Sequence, residues 1–325
     1  MKILIIRFSS IGDIVITSPI VRCIKKQYPD AILHFLTKPK FEGLVKHNIY
    51  VDKTIGLKEA IGETIDDLQN EEYDVVIDLH KNLRTRKIKS KLNTNWYTFN
   101  KLNIQKWLFV NFKINLLPKQ HLVDRYFEGV ESLHVKNDGL GLDYFLPQDY
   151  NRNLQDFELK KDDYIVISIG GTYATKRMPN SLILASIKRL NKPTVLIGGS
   201  NDDEQNARQI TENLPKGKVM NLVNKLSIDD SAFLIKNCHS IISGDTGMLH
   251  IAAAYKKRIS SVWGNTHPLF GMYAYLPEDS GHLVTNNEVD LKCRPCSKLG
   301  SKTCPKGHFD CMKLQNVEEI VKNCS

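Results

Sequence analysis

The sequence predicts an α/β protein made of two doubly wound, Rossmann-like parallel sheets in tandem, the two domains facing across a cleft. Three observations carry this. Short apolar runs alternate with helix-like segments, as in parallel strands joined by crossover helices. The alternation stops in a polar, turn-rich stretch at 142–163, "LDYFLPQDYNRNLQDFELKKDD", and then restarts. Many of the runs end in glycine or small polar residues, and in such sheets ligands bind beyond the carboxyl ends of the strands. The 325 residues suffice for two domains. We divide them into an N-terminal domain at 1–155 and a C-terminal domain at 156–325.

In order, "KILIIRF" reads as a buried strand, and "AILHFLT" as a second after a helix ending near "KKQYPD". "VDKTIGL" is a short third strand, and "YDVVIDLH" a fourth that ends in Asp78 and His80. After the linker come "YIVISIGG", "PTVLIGGS", "KVMNLV", the strand–turn–helix "HSIISGDTGMLHIAAA", and "RISSVWGNT". No internal repeat is evident.

Composition narrows the class. No run of 18 apolar residues occurs, so no membrane span is expected. The start lacks a secretory pattern: its apolar run is four residues long, and Arg7 and Asp13 interrupt the stretch beyond it. A cytoplasmic location is therefore expected, and there seven cysteines are thiols or metal ligands before they are disulfides. The net charge of +9 is concentrated: from Leu79 to Val123 there are ten Lys or Arg and no Asp or Glu. A single basic segment points to one anionic face.

The strand-end loops hold the candidate chemistry. In "SGDTGMLHIAAA", Asp245 or Thr246 caps an alanine-rich helix. Free N–H groups at that helix start favour a phosphate. Thr246 and His250 lie four apart on one helix face, and a core histidine under an ordinary cap explains them equally. "GGTYATKRMP" offers the Thr172 hydroxyl and the Lys176 charge, a pair suited to a diphosphate or to a plain polar loop. "GGSNDDE" offers carboxylates for ribose hydroxyls or for a helix cap. Neither a Walker signature nor a G-x-G-x-x-G after the first strand is present, and no D-x-D occurs.

"RFSSIGDIVITSPIVRCIKKQYPDA" near the start and "SGDTGMLHIAAA" near the end, at this separation, resemble glycosyltransferase family 9, the heptosyltransferase family. "GGTYATKRMP" and "VLIGGSNDDE" fall where that family has its donor loops. The resemblance implies the two-domain GT-B fold, with acceptor bound by the first domain and donor by the second. It also implies inverting transfer of a sugar, typically from ADP-heptose, to an inner-core lipopolysaccharide acceptor. By the same match Asp13 is the general base, and Thr172, Lys176, Asp245, Thr246, Gly247 and His250 line the donor site. Asp203 is taken as the ribose contact. An inverting transferase needs one base, close to the acceptor hydroxyl and fixed, and a small-residue turn leaves room for it. Asp13 placed as a mere helix cap is the competing reading. Lys176 and the helix start at Thr246 would supply the field for the leaving diphosphate, so no cofactor is required for catalysis.

Acceptor contacts are assigned to Ser10, Gly12, His80, Arg84 and Arg86. In the basic segment "KNLRTRKIKSK" is followed by "WYTFNKLNIQKWLFVNFKINLL". Such interleaving of cations and aromatics suits single-stranded nucleic acid or an anionic membrane surface. The resemblance favours the second: an anionic glycolipid acceptor, no nucleic acid, and peripheral association with the cytoplasmic face of the inner membrane. We expect the segment on the N-terminal domain, near Asp13. A nucleic-acid-binding protein and a nucleotide-sugar epimerase are the rival readings. Finally, "CRPCSKLGSKTCPKGHFDC" spaces Cys293, Cys296, Cys304 and Cys311 as C-x2-C-x7-C-x6-C, with His308 inside. That set is a candidate structural zinc site, against the alternative of a compact thiol-rich loop.

Overall fold

In the computed structural model, which describes residues 1–324, the chain forms two compact units. One comprises residues 1–101 and 120–148; the other comprises 102–119 and the chain from 149 onward. The main change-over, Gln148 to Asp149, lies inside the turn-rich stretch at 142–163.

The first unit is a five-stranded, all-parallel sheet: β1 (Lys2–Ile6), β2 (Ile32–Thr37), β3 (Lys53–Gly56), β4 (Val75–Asp78) and β5 (Asn95–Thr98), in the order β3-β2-β1-β4-β5. Ile3, Leu4, Ile5 and Ile6 are all fully buried, because helices cover both faces of a parallel sheet. On one face Leu4, Ile6, Leu36, Leu68, Val76 and Ile88 pack together. Ile6 is in register with Leu36 on one side and Asp78 on the other. The winding reverses between β1 and β4, so a crevice opens where those two strands end. Helix Ser18–Gln27 starts with Pro19 in its first turn, where proline's missing N–H costs nothing. Its buried Arg22 reaches across to 138–143, donating to Asp138 at 2.7 and 2.9 Å, to the Gly141 carbonyl at 2.9 Å, and to Asp143.

The second unit has six parallel strands: β6 (Ile165–Ser168), β7 (Thr194–Ile197), β8 (Val219–Asn221), β9 (Ser240–Gly244), β10 (Arg258–Trp263) and β11 (Val284–Glu288). Their order is β11-β10-β9-β6-β7-β8. The reversal here falls between β6 and β9, where Ser168 pairs with Ser243. The core includes Ile165, Ile167, Ile183, Leu196, Ile242 and Val262, and it takes in Cys311 and Met312 of the C-terminal segment.

One placement corrects the sequence reading. Helix Asn103–Phe112 packs with the second unit, although a linear division puts it in the first. Phe109 and Leu117 share a small apolar cluster with Phe270, backed by Leu102, Val110 and Leu269. Lys113 Nζ donates to the Pro295 carbonyl at 2.7 Å, and Lys298 Nζ to Asn103 Oδ1 at 2.7 Å. The basic segment is therefore split: residues up to 101 belong to one unit and 102–119 to the other.

Candidate functional site

In the first unit the turn after β1 is held by one cation. Arg7, almost fully buried, donates from Nε to the Ser9 carbonyl at 3.0 Å and from Nη1 to the Leu79 carbonyl and to Tyr126 Oη at 3.3 Å. Its Nη2 pairs with Asp13 Oδ1. The second carboxylate oxygen of Asp13 accepts from the Ser10 backbone N–H at 3.1 Å and from Ser10 Oγ at 2.7 Å. Ser10 is the N-cap of helix Ile11–Val15, and Asp13, at the third helical position, closes the capping box, close to the competing reading, and is also ion-paired. Gly12 is buried in the same turn. The Asp13 side chain keeps 24% of its surface exposed. A carboxylate held from two directions and still open is geometrically suited to take a proton.

The loop after β4 lies beside this turn. Asp78 Oδ1 accepts from the backbone N–H groups of His80 at 2.9 Å and Lys81 at 2.7 Å, which fixes the loop. The His80 ring sits 4.7 Å from the Phe8 ring. Burial pushes the imidazole down to about 3, helped by the charges of Arg7 and Lys101 and opposed by Asp13. His80 is therefore neutral at physiological pH, and its Nδ1 is buried without a hydrogen-bond partner among the described residues. Arg84 and Arg86 stand exposed on the next helix, Leu83–Lys89.

In the second unit the loops after β6, β9 and β10 converge. Lys176 Nζ pairs with Asp245 Oδ2 at 2.6 Å, and Thr266 Oγ1 donates to the same oxygen at 3.0 Å. The Lys176 backbone passes so close to the end of β9 that a Cβ at Gly244 would sit 2.6 Å from its carbonyl oxygen. A Cβ at Gly264 would meet the Thr175 carbonyl at the same distance. Two glycines thus let the lysine loop lie across the strand ends. Thr246 is the N-cap of helix Gly247–Ala254, but its hydroxyl lies 3.0 Å from Ser243 Oγ and makes no cap hydrogen bond. The backbone N–H groups of that helix start are left to an outside acceptor, and its dipole favours an anion there. Thr172 is exposed on the β6 loop.

Two predicted donor residues have other positions. Asp203 is 3% exposed, and its Oδ2 accepts from the Gly199 and Ser200 N–H groups at 3.2 and 3.1 Å. Arg177 Nε lies 3.7 Å from its other oxygen. Asp203 closes the capping box of helix Asn201–Glu212, whose N-cap is Ser200, and anchors the loop before it; this is the alternative that the "GGSNDDE" motif left open. His250 is 1% exposed and sits inside its helix packing, as a core histidine does.

The zinc assignment is not supported. Among the described residues no group of three or more His, Cys, Asp or Glu is placed to hold a metal ion. Cys311 is buried in the apolar core. Burial, with the Cys293 thiol beside it, pushes the Cys296 thiol up to about 11, and burial does the same to Cys311. The segment instead straps the β6 and β10 loops. Arg294 donates to the carbonyls of Gly264 at 2.6 Å and Thr266 at 3.1 Å, Cys296 N–H to the Asn265 carbonyl at 3.0 Å, and Thr175 Oγ1 to the Ser301 carbonyl at 3.1 Å.

Arg7, Thr266 and Arg294 were not among the predicted site residues. A cation closing an apolar strand, as in "ILIIRF", is the signal that marks Arg7; nothing local marks the other two.

The chain is similar to lipopolysaccharide heptosyltransferase 1 of Campylobacter coli, 25% identical over 295 residues that span 82% of this chain and 84% of that protein. Among solved structures, a family 9 glycosyltransferase from Veillonella parvula superposes with a TM-score of 0.77 at 20% identity, covering 99% of this chain and 96% of that one. The ADP-heptose lps heptosyltransferase II of E. coli superposes with a TM-score of 0.69 at 18% identity, covering all of both chains. These likenesses show the two-sheet GT-B fold. Residues 61–305 match glycosyltransferase family 9 (heptosyltransferase), and the chain belongs to that family of enzymes.

Proposed function

We propose that the protein is an inverting heptosyltransferase that moves heptose from ADP-heptose to an anionic, lipid-linked inner-core acceptor of lipopolysaccharide. Family membership and the names of the similar proteins support the donor and acceptor classes. One observation carries the mechanism: Asp13 is fixed by Arg7 and Ser10 and yet remains open. In the proposed step Asp13 takes the acceptor hydroxyl proton as that oxygen attacks the anomeric carbon. The bond from that carbon to the phosphate oxygen breaks, ADP leaves, and the configuration inverts. Lys176 and the start of helix Gly247–Ala254 stabilise the charge that builds on the departing diphosphate. Thr172, Asp245, Thr246 and Gly247 complete the donor side, and Ser10, Gly12, neutral His80, Arg84 and Arg86 the acceptor side. These groups supply the field without a metal ion, so turnover is expected to survive a chelator.

The acceptor's lipid brings the enzyme to the cytoplasmic face of the inner membrane. A thermal-shift and transfer panel of nucleotide sugars tests the reading. ADP-heptose should stabilise the protein and be consumed in the presence of acceptor. Stabilisation by a uridine nucleotide sugar alone, with no transfer from ADP-heptose, would overturn it.

A further inference from the structure

Helix Asn103–Phe112 has its polarity reversed. Ile104, Trp107, Leu108 and Phe112 lie on one face by helical spacing, with Asn111 among them; Leu108 is half-buried and the other three apolar residues face outward. Ile104 is 74% exposed, Phe112 59% and Trp107 55%, whereas Lys106 is buried. The rings of Trp107 and Phe112 meet edge to face at 5.2 Å, forming one aromatic knob. Exposed Ile114 and Leu116 extend the patch along the following loop. The helix is not loose: Phe109 packs on Phe270 and His267 at 5.9 and 5.4 Å, and both ends are tied to 295–298. A fixed element that displays an aromatic and aliphatic face marks an interaction surface.

The charges choose the partner. Residues 102–119 carry Lys106, Lys113 and Lys119 and no Asp or Glu. Exposed Lys119 follows the apolar patch, and Lys113 keeps its charge at the patch border while its ammonium bonds the Val110 and Pro295 carbonyls. A symmetric contact with a second copy would bring like charges together. An anionic lipid surface satisfies both features: tryptophan sits favourably at the headgroup boundary, and lysines are drawn to acidic headgroups. We propose that the face made by Ile104, Trp107, Phe112, Ile114 and Leu116 inserts into the headgroup layer of an anionic bilayer. The docking element then belongs to the nucleotide-binding unit, not to the unit that carries Asp13. The proposal rests on the lipid-linked acceptor reading only for its choice of a membrane, and its test uses neither donor nor acceptor.

The full chain is sedimented with vesicles of phosphatidylcholine alone or mixed with phosphatidylglycerol. The wild type should bind the mixed vesicles, more weakly as salt rises, and its tryptophan emission should shift to the blue. The double variant Trp107→Ser/Phe112→Ser should lose about tenfold or more in partitioning, since binding scales with apolar area inserted, while its melting temperature holds. Trp107→Phe should keep the binding and lose most of the emission shift. Ile114→Ser/Leu116→Ser provides a second, independent loss. A folded Ser variant that binds vesicles like the wild type overturns the proposal. So does a wild type that ignores vesicles, and a patch whose variants change only self-association. A protein that transfers heptose but ignores vesicles defeats this inference alone.

Discussion

Arg7 holds Asp13 and the loop after β4 with one guanidinium group: Nη2 pairs with the Asp13 carboxylate while Nη1 bonds the Leu79 carbonyl and Tyr126. The ends of the two strands flanking the crevice of the first sheet are thereby tied through a single side chain. This makes the base reading testable against the capping one. Asp13→Asn retains the shape and a cap, and removes the proton acceptor. Turnover should fall by about 100-fold or more with donor affinity unchanged. Turnover near that of the wild type would leave Asp13 a cap. Arg7→Gln should cost about 1–3 kcal/mol of stability, because the Ser9 and Leu79 carbonyls lose their buried donor. It should also lower kcat; a stability loss with full kcat in the folded fraction would make Arg7 purely structural.

Lys176 is not a free cation waiting for phosphate, for Asp245 holds it at 2.6 Å. The pair aims the ammonium group, and a diphosphate would approach it together with the helix start at Gly247. Lys176→Ala should therefore weaken ADP binding much more than adenosine binding, as a point charge acts on phosphate. Calorimetry of both ligands separates the cases. Equal losses for the two would mean that Lys176 only supports its loop.

Much of this architecture was legible in the sequence, for a physical reason. Strands buried on both faces must be near-continuous apolar runs, and nine of the eleven strands here are read from such runs. β5 and β11 were not; both lie at sheet edges, as do β3 and β8, which the sequence shows, so the misses are confined to edge strands. An edge strand needs apolar residues on fewer positions, and "VTNNE" shows no apolar alternation. Asp13, Lys176 and Asp245 stand out as candidates because they follow strand ends in small-residue turns. Asp203 fits the same description and yet caps its own helix; a carboxylate three residues past a serine is as good a cap as a ligand. The placement of Asn103–Phe112 was illegible for another reason. Its partners, Phe270 and Pro295, lie far along the chain, and nothing local announces such a contact.

Gly244 gives a test of the donor loop that leaves every charged group in place. An added Cβ would lie 2.6 Å from the Lys176 carbonyl oxygen, a backbone atom that cannot swing aside. Gly244→Ala should push the 174–176 turn outward. It should cost about 1–3 kcal/mol, the usual range for overpacking, and weaken ADP binding alongside. Gly199→Ala is the control: it sits on a neighbouring loop with nothing within 4 Å of its Cβ, and it has no positive φ. Melting curves and ADP titrations on the two variants should separate clearly. Equal behaviour would mean that the loop adjusts freely and that the close approach does not fix Lys176.

His80 supplies a prediction in pH. Its ordinary pKa is 6.5, and burial, assisted by Arg7 and Lys101, takes it down to about 3 in the folded chain. Between those two values the unfolded chain binds a proton that the folded chain does not. Stability from this group is therefore intact above pH 6.5 and is lost progressively as pH falls from 6.5 towards 3. His80→Gln cannot titrate, so it removes that loss while keeping a polar side chain against Phe8. Other buried histidines and the carboxylates also shape the acid limb, so the quantity to measure is the difference between variant and wild type. The melting temperature of His80→Gln should gain on the wild type as pH is lowered from 7 to 5, and the two should run parallel above 7. The acid limb of kcat should not move, since His80 is already neutral there and Asp13 is the base. A difference in melting temperature that stays constant from pH 7 to 5 would show that His80 is freely protonated in the folded protein. The neutral imidazole beside Asp13 would then have to be given up as an acceptor contact.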